Sequence, residues 1–513
     1  MTPHQGGALT SNANVAELLL AAARAHGSRP AIVERDRQAD YAALAARAAA
    51  IAEALAAAGV GANDRVAMLL ERGADAAAAF FGTVGTGAIA VIANETLRPR
   101  QIERLIEHSG ARWLIASRDL LDALPRPLET AARMLDVAAI PEAGRAAFSP
   151  VPRLDHDVAQ IIFTSGSTGL PKGVTVTHAN LRAATRIVIG YLGITGDDRI
   201  ASVLPLSFVY GMSQLLCATG SGAALVVERS PLPQQVVETL RAREVTVLAA
   251  VPPLWIRLLG TSAFKTPLPA LRVMTNAGGR LPPPSVRALR AAQPGARLFL
   301  MYGLTEVLRS TYLPPEEVDR HPDSMGRPIP GSEVYVLRED GTPAAPGEVG
   351  ELVHRGPTVT LGYWGDAELT ARVFRANPLR PAGAPSSERV VFSGDLVRRD
   401  ELGLLYYVGR KDRVVKIMGY RVGPDEVSDV LYASGEVTEA VVAGEPDEVW
   451  GERIVAFVVL AGGGSRERLA AYCARELPRY MQPARIEVRD AIPVLPSGKH
   501  DLAALRGSDA VTR

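Results

Sequence analysis

The stretch Ile161-Ile162-Phe163-Thr164-Ser165-Gly166-Ser167-Thr168-Gly169-Leu170-Pro171-Lys172-Gly173-Val174-Thr175-Val176-Thr177-His178 decides how the rest of the chain is read. Ser165, Gly166, Ser167, Thr168 and Gly169 in succession leave backbone N–H groups free to turn inward, and their small side chains let a polyphosphate come close. Lys172 adds a movable positive charge. The flanks, Val158–Phe163 and Val174–Thr177, have the apolar and β-branched content of strands, so the loop is expected to hang between two strands. A Walker A loop leads into a helix and needs Gly-Lys-Ser/Thr, whereas Lys172 lies between Pro171 and Gly173. An ordinary Ser/Gly turn would account for five such residues but poorly for all eighteen.

Composition bounds the rest. At 513 residues the chain exceeds what one core normally supports, so two or three compact units are expected. Lys plus Arg number 56 against 55 for Asp plus Glu, a net of +1, which leaves no footprint for nucleic acid or an anionic membrane. The two cysteines, Cys217 and Cys473, are far apart and lack metal-ligand spacing. A reduced, cytoplasmic setting is expected, with neither thiol needed for chemistry. Met1–Asn14 lacks the cationic-then-apolar pattern of a leader and is expected to be loosely ordered. Ala76–Ala93 approaches membrane length, but it is mainly Ala and Gly with Gly85-Thr86-Gly87 inside it, and reads as a buried helix running into a buried strand.

The chain then alternates. Helices are expected at Tyr41–Ala58, Ala74–Val84 and Arg98–His108, and strands at Arg65–Leu70, Ala88–Ile92 and Arg112–Ala116. The pattern returns with helix Leu181–Leu192, strand Ile200–Leu204, helix Leu232–Arg243, and strands Val245–Val251 and Leu271–Asn276. This is the βαβ order of parallel sheets, met twice. After Gly331, short alternating segments such as Ser332–Leu337 and Gly350–Val353 suggest a small antiparallel β-barrel or sheet. Arg375–Arg389 reads as a surface loop. Past Arg413 a compact α+β tail is expected, with helices Pro424–Ala433 and Arg466–Leu477 and strands Ala440–Ala443, Arg453–Val459 and Ile486–Val488.

Further blocks stand at Met301–Glu306 (Met-Tyr-Gly-Leu-Thr-Glu), Ser393–Leu396 (Ser-Gly-Asp-Leu), Tyr407–Val427 and Pro496–Asp501 (Pro-Ser-Gly-Lys-His-Asp). With the Ser/Gly loop, their order and spacing over nearly the whole chain resemble the adenylate-forming enzymes: acyl-CoA synthetases, aryl-CoA ligases, luciferases and peptide-synthetase adenylation domains. The resemblance implies an α/β fold in which a large N-terminal domain, residues 1–411, holds two parallel α/β sheet subdomains and a small β-barrel. A small mobile α+β C-terminal domain, residues 412–513, would carry the catalytic lysine.

It also implies the chemistry. A carboxylate attacking the α-phosphate of ATP brings anions together, so positioned cations and N–H donors should supply most of the catalysis. Thr164 to Gly169 and Lys172 would cradle the β- and γ-phosphates. Thr305 and Glu306 would sit beside the α-phosphate, Glu306 as the Mg²⁺ ligand, and Lys499 would bridge the attacking carboxylate and the ribose side. Asp395 resembles the acceptor of both ribose hydroxyls and Arg410 a ribose-side cation, although a surface salt bridge would also explain Arg410. Tyr302 offers adenine a flat face, and Gly278, Gly279 and Arg280 a bare backbone edge. Asp412 matches the hinge about which the tail rotates. Gly419 and Tyr420 match the wall of a pantetheine tunnel in the second pose, whether CoA or the phosphopantetheine of a carrier protein is the acceptor.

The acyl side is less legible. Many acyl-CoA ligases carry an aromatic-His pair after Leu-Pro-Leu; here Phe208 takes the histidine's place, which puts a gating imidazole in doubt. No Asp between Leu204 and Leu216 could meet an α-amine. Phe208, Met212, Val307 and Leu308, with Tyr312, suggest an apolar pocket for an uncharged acyl or aryl tail. Arg309 is the exception, either a partner for a backbone carbonyl, the reading preferred on sequence, or a clamp on a polar substrate end. Residues 302–323 look most like stand-alone bacterial acyl-CoA or acyl-carrier ligases, and with no carrier domain before Arg513 a carrier is expected to act in trans. The alternative is a stand-alone enzyme adenylating an amino acid or β-amino acid.

Overall fold

The computed structural model describes residues 12–164, 171–279, 281, 283–381, 383, 388–410, 415–417, 419–422, 424–493 and 505, with backbone alone at 253, 284, 409, 410, 421, 425 and 429. The two flanks of the Ser/Gly stretch form a β-hairpin. Strands Val158–Thr164 and Lys172–Thr177 pair antiparallel, with Thr164 opposite Lys172 at the mouth of the loop. The loop residues Ser165, Gly166, Ser167, Thr168 and Gly169 lie outside the described residues.

The hairpin belongs to a seven-stranded sheet. Val158–Thr164 pairs in parallel with Ile89–Ile92, which pairs with Arg65–Leu69, then Trp113–Ala116 and Arg133–Asp136. A nine-stranded sheet forms the second half. Its parallel run passes from Arg297–Tyr302 through Val273–Asn276, Val247–Ala250, Arg199–Ser202 and Ala224–Val227 to Pro30–Val33. Both sheets are apolar on both faces because helices cover them, as parallel sheets require. The two βαβ runs expected from the sequence are thus the parallel cores of two sheets, each with antiparallel strands at its margins.

Helices weld the halves. Tyr41–Ala57 starts on Asp40, whose side chain accepts the Ala43 N–H at 2.7 Å. It crosses Ala74–Gly85 so closely that a Cβ on Gly82 would stand 2.8 Å from the Ala48 carbonyl oxygen. The Tyr41 hydroxyl reaches the other half, donating to the carbonyls of Ala218 at 2.9 Å and Ala223 at 2.6 Å. Helix Val209–Ser221 was not expected from the sequence and forms part of this joint.

Three expectations change. The sheet past Gly331 is five-stranded, antiparallel and open among the described residues: Glu333–Leu337, Val349–Arg355, Arg389–Arg399 and Phe374–Ala376 follow in order, with Leu405–Arg410 on Arg389–Arg399. Alternation marks its strands but carries no information on closure. Arg375 and Ala376, expected in a surface loop, extend this sheet. Asn12–Asn14 are tied down, not loose: Asn14 is fully buried and donates to the carbonyls of Val84 at 2.7 Å and Val151 at 3.0 Å. Residues 1–11 lie outside the described residues.

The small C-terminal domain has its own core. Val437–Asp447 and Gly451–Leu460 pair antiparallel, Arg485–Val488 adds in parallel, and helices Pro424–Ala433 and Arg466–Glu476 cover the sheet around Val430, Leu431, Leu469 and Cys473. Among the described residues no helix is long and apolar enough to cross a membrane.

Candidate active site

A cleft of about 1920 Å³ runs between the two domains, with walls drawn from both. Strand ends supply its floor. Val273–Asn276 and Arg297–Tyr302 are adjacent parallel strands, and the residues just after them, Ala277–Gly279 and Gly303–Thr305, line the cleft. This is the carboxyl edge of a parallel sheet, where α/β folds bind ligands.

On one side Asp395 is fully buried on Arg389–Arg399 and accepts a hydrogen bond from the Tyr302 hydroxyl. Strand register sets Asp395 opposite Arg410. The Tyr302 ring is stacked at 6.1 Å on His354, whose Nδ1 meets the Ser310 hydroxyl at 2.8 Å. His354 is completely enclosed, and that burial lowers its pKa to about 4, so the imidazole is neutral at physiological pH.

Beneath the hairpin a second cluster forms. Glu306 begins in the short turn Thr305–Val307, is 6% exposed, and accepts the Tyr363 hydroxyl at 2.7 Å. The same Tyr363 ring has the Lys172 ammonium 6.0 Å from its centre. Lys172 and Glu306, picked out separately in the sequence, therefore share Tyr363. Thr164 and Thr305 both face the cleft.

Facing these groups is the loop of the small domain. Gly419 has φ +84°, and a Cβ there would lie 2.9 Å from Val251 Cγ1. Val251 is also the neighbour of Gly278, whose φ is +79°. Tyr420 stands edge-on to Phe208 at 4.6 Å and stacks on Tyr480. Burial pushes the Tyr420 phenol up to about 12. Phe208 thus takes up the place where an imidazole was looked for, meeting the small domain with a ring edge.

The acyl-side residues divide. Phe208 and Leu308 line the cleft, while Met212 and Val307, each 1% exposed, pack in the core behind it and are not on its wall. The backbone-carbonyl partner expected for Arg309 is not there. Its guanidinium lies over the Tyr210 ring at 4.7 Å and donates to no carbonyl among the described residues. Arg280, Asp412 and Lys499 lie outside the described residues, as does the side chain of Arg410. Cys217 and Cys473 are buried and free, and burial raises both thiols to about 11, which leaves no thiolate at neutral pH.

Sequence reading missed Tyr363, His354 and Tyr210. Tyr363 is 57 residues from Glu306 and His354 44 from Ser310, so no local pattern announces either pair.

The model of the AMP-binding enzyme matches residues 19–364, and that of the AMP-binding enzyme C-terminal domain matches residues 426–499. The chain belongs to the AMP-binding enzyme family. It is an adenylate-forming ligase of the acid-thiol type. Novobiocin biosynthesis protein H of Streptomyces niveus is 32% identical, over 97% of this chain and 83% of that protein. The 2-succinylbenzoate–CoA ligase of Geobacillus kaustophilus is 31% identical, over 91% and 92%. Against tyrocidine synthase 3 of Brevibacillus parabrevis, 30% identical over 94% of this chain, the chain spans only 8% of the longer protein. Among solved structures, o-succinylbenzoate CoA synthetase from Bacillus subtilis superposes with a TM-score of 0.83 at 27% identity, covering 96% of this chain and 98% of that one. The amide bond synthetase McbA from Marinactinospora thermotolerans gives 0.84 at 26%, covering 96% and 99%. Its relatives thus include both a CoA ligase and an amide bond synthetase.

Proposed function

We propose that this adenylate-forming ligase joins a carboxylic acid to ATP, releases pyrophosphate, and passes the acyl group to a pantetheine thiol of CoA or a carrier protein. The observation that carries the reading is the buried Asp395–Tyr302 pair beside the cleft, next to the hairpin whose mouth is Thr164 and Lys172. A buried carboxylate of this kind can accept ribose hydroxyls, and a run of Ser, Thr and Gly such as Ser165–Gly169 suits a phosphate.

The proposed roles follow from charge. Lys172 and the loop Ser165–Gly169 neutralise the departing pyrophosphate, and Thr305 donates to the α-phosphate. Glu306 would hold Mg²⁺ together with phosphate oxygens; a carboxylate and a hydroxyl are the hard oxygen donors this ion takes, and the ion supplies charge neutralisation on the phosphates. Tyr363 orients the Glu306 carboxylate. Gly278, Gly279 and Arg280 would border the adenine, and Arg410, paired in register with Asp395, the ribose. Lys499 completes the adenylation pose.

We read the pose of the small domain as the second one. With Gly419 against Val251 and Tyr420 against Phe208, the loop expected to line the pantetheine channel already faces the large domain. Rotation about Asp412, the proposed boundary between domains 1–411 and 412–513, would exchange it for Lys499. The near-neutral net charge and the buried, unreactive thiols favour a cytoplasmic site of action. Amino-acid activation is disfavoured because the polar group on the acyl side is the cation Arg309, which repels an ammonium.

ATP–pyrophosphate exchange across fatty, aryl, dicarboxylic and amino acids tests the reading. Exchange that requires a carboxylic acid, followed by thioester formation with CoA or a phosphopantetheinylated carrier, is the expected result. Preferential exchange with a proteinogenic amino acid would reverse the ranking.

A further inference from the structure

Arg309 is 5% exposed, and among the described residues no carboxylate pairs with it and no oxygen accepts from its Nε. A buried guanidinium with unused donors is costly unless a ligand supplies the acceptor. Its surroundings are phenols and a thiol: Tyr191, Tyr210 and Cys217 are the titratable groups that feel its charge, and each has been pushed toward its neutral form by burial. None of them can neutralise the cation. Tyr210 offers only its ring face, since its hydroxyl is engaged by Thr275.

The backbone is bent to place this residue. Leu308 has φ +50° and ψ −51°, and the Arg309 N–H returns to the Val307 carbonyl, which makes a γ-turn of the rarer, positive-φ kind. A leucine in that region is strained by about 1–3 kcal/mol, and such strain persists where the surroundings impose it. Here the Thr358 hydroxyl holds the Arg309 carbonyl at 3.1 Å and the Ser310 N–H is held by the Tyr302 carbonyl at 3.2 Å. After the turn, the Arg309 side chain meets helix Val209–Ser221 at Tyr210, and its charge is felt at Cys217 of that helix and at Tyr191 of helix His178–Leu192. Arg309 and Tyr210 both line the cleft.

We propose that Arg309 is a specificity residue that receives a second carboxylate, at the end of the acid remote from the one activated, so that the preferred substrates are dicarboxylic. This rests on the ligase reading and narrows its substrate class. A guanidinium can take a carboxylate through two parallel N–H bonds, and the Tyr210 face holds its plane while it does so. The apolar wall of Phe208 and Leu308 would accommodate the carbon skeleton between the two acids.

The test compares hexanoic acid, adipic acid and adipic monoamide, and 4-phenylbutanoic acid with its para-carboxylated analogue, by ATP–pyrophosphate exchange. In the unaltered enzyme the diacid of each set is expected to have the higher kcat/KM, by about ten- to a hundredfold, the worth of one charge-assisted contact. Arg309→Met should invert the order, through KM for the acid, and leave KM for ATP unchanged, while Arg309→Lys should keep part of the preference. Among the described residues the Tyr210 ring is what meets the guanidinium, so Arg309→Met should lower the melting temperature only by the loss of that one contact. An unchanged diacid-to-monoacid ratio in Arg309→Met would overturn the proposal and leave the ligase reading standing. No exchange with any acid in the unaltered protein would overturn both.

Discussion

Asp395→Asn separates recognition of ATP from recognition of the acid. Asp395 has no exposed surface, so whatever it binds is bound in a medium where a charged acceptor counts for more than in water. One carboxylate oxygen already holds the Tyr302 hydroxyl. The amide can keep that bond through its oxygen, but its NH₂ cannot accept a ribose hydroxyl at the other position. One hydrogen bond to a charged group is removed, worth about 1.5–3 kcal/mol, which is roughly ten- to a hundredfold in affinity for the nucleotide. Asp395→Ala should do more, because it also strands the Tyr302 hydroxyl at a cost of about 1–3 kcal/mol in stability. The assay is ATP–pyrophosphate exchange with KM for ATP and for the acid determined separately, accompanied by melting with and without AMP. Asp395→Asn should raise KM for ATP alone and abolish the thermal shift caused by AMP. An unchanged KM for ATP would refute the ribose assignment, whatever happened to the maximal rate.

Two further outcomes are expected. His354 has its pKa lowered from 6.5 to about 4 by burial, so its contribution to stability is full above pH 6.5 and is lost as pH falls from there toward 4, because only the unfolded chain takes up the proton. The interval of about 2.5 units limits the loss to about 3 kcal/mol. Urea unfolding of His354→Gln at pH 7 and pH 5 should show a loss smaller than that of the unaltered protein by about 2 kcal/mol, and equal losses would refute the assignment. At Gly419, φ of +84° and the contact with Val251 act together, so the turn and the channel wall are not alternatives there. Gly419→Ala should cost about 1–2 kcal/mol in stability through φ alone. Transfer from preformed acyl-adenylate should fall further and recover in part in the Gly419→Ala, Val251→Ala double variant; no recovery would show that the two residues do not meet during transfer.

Much of this site was visible as segments and little of it as contacts. The hairpin was legible because Ile161, Ile162, Val174 and Val176 put apolar residues on buried strand positions and the Ser/Gly run between them cannot. Parallel sheets were legible because alternating apolar runs and Ala-rich helices have few other solutions. Helix Val209–Ser221 was not, since it begins with Val-Tyr-Gly; a Cβ on Gly211 would overlap the Pro205 carbonyl, so that glycine marks a close approach and not a break. The Tyr302–Asp395 bond spans 93 residues, and neither member carries a local sign of the other. Arg309 was misread for a different reason. A buried arginine ordinarily finds a carbonyl, and nothing in Leu308 advertises the positive φ that turns the side chain elsewhere.

The contacts between the domains bear on how one chain can hold two active arrangements. Tyr420 meets Phe208 edge-on at 4.6 Å, Arg98 donates to the Ala474 carbonyl at 3.2 Å, and the Gln101 amide reaches the Met481 sulfur at 3.4 Å. An aromatic pair of this kind is worth about 0.5–1.5 kcal/mol beyond its buried area, and an exposed hydrogen bond about as much. A ligand that prefers one pose by a few kcal/mol is enough to exchange such contacts. Phe208 in place of an imidazole matters here. The phenyl ring has no proton to gain, and burial keeps the Tyr420 phenol neutral up to about pH 12, so this contact holds the same strength across the physiological range. With the aromatic contact insensitive to pH, the balance between the two proposed poses would be left to the phosphates: ATP or pyrophosphate held beside Lys172 would favour the adenylation pose, and its departure would let Gly419 return against Val251.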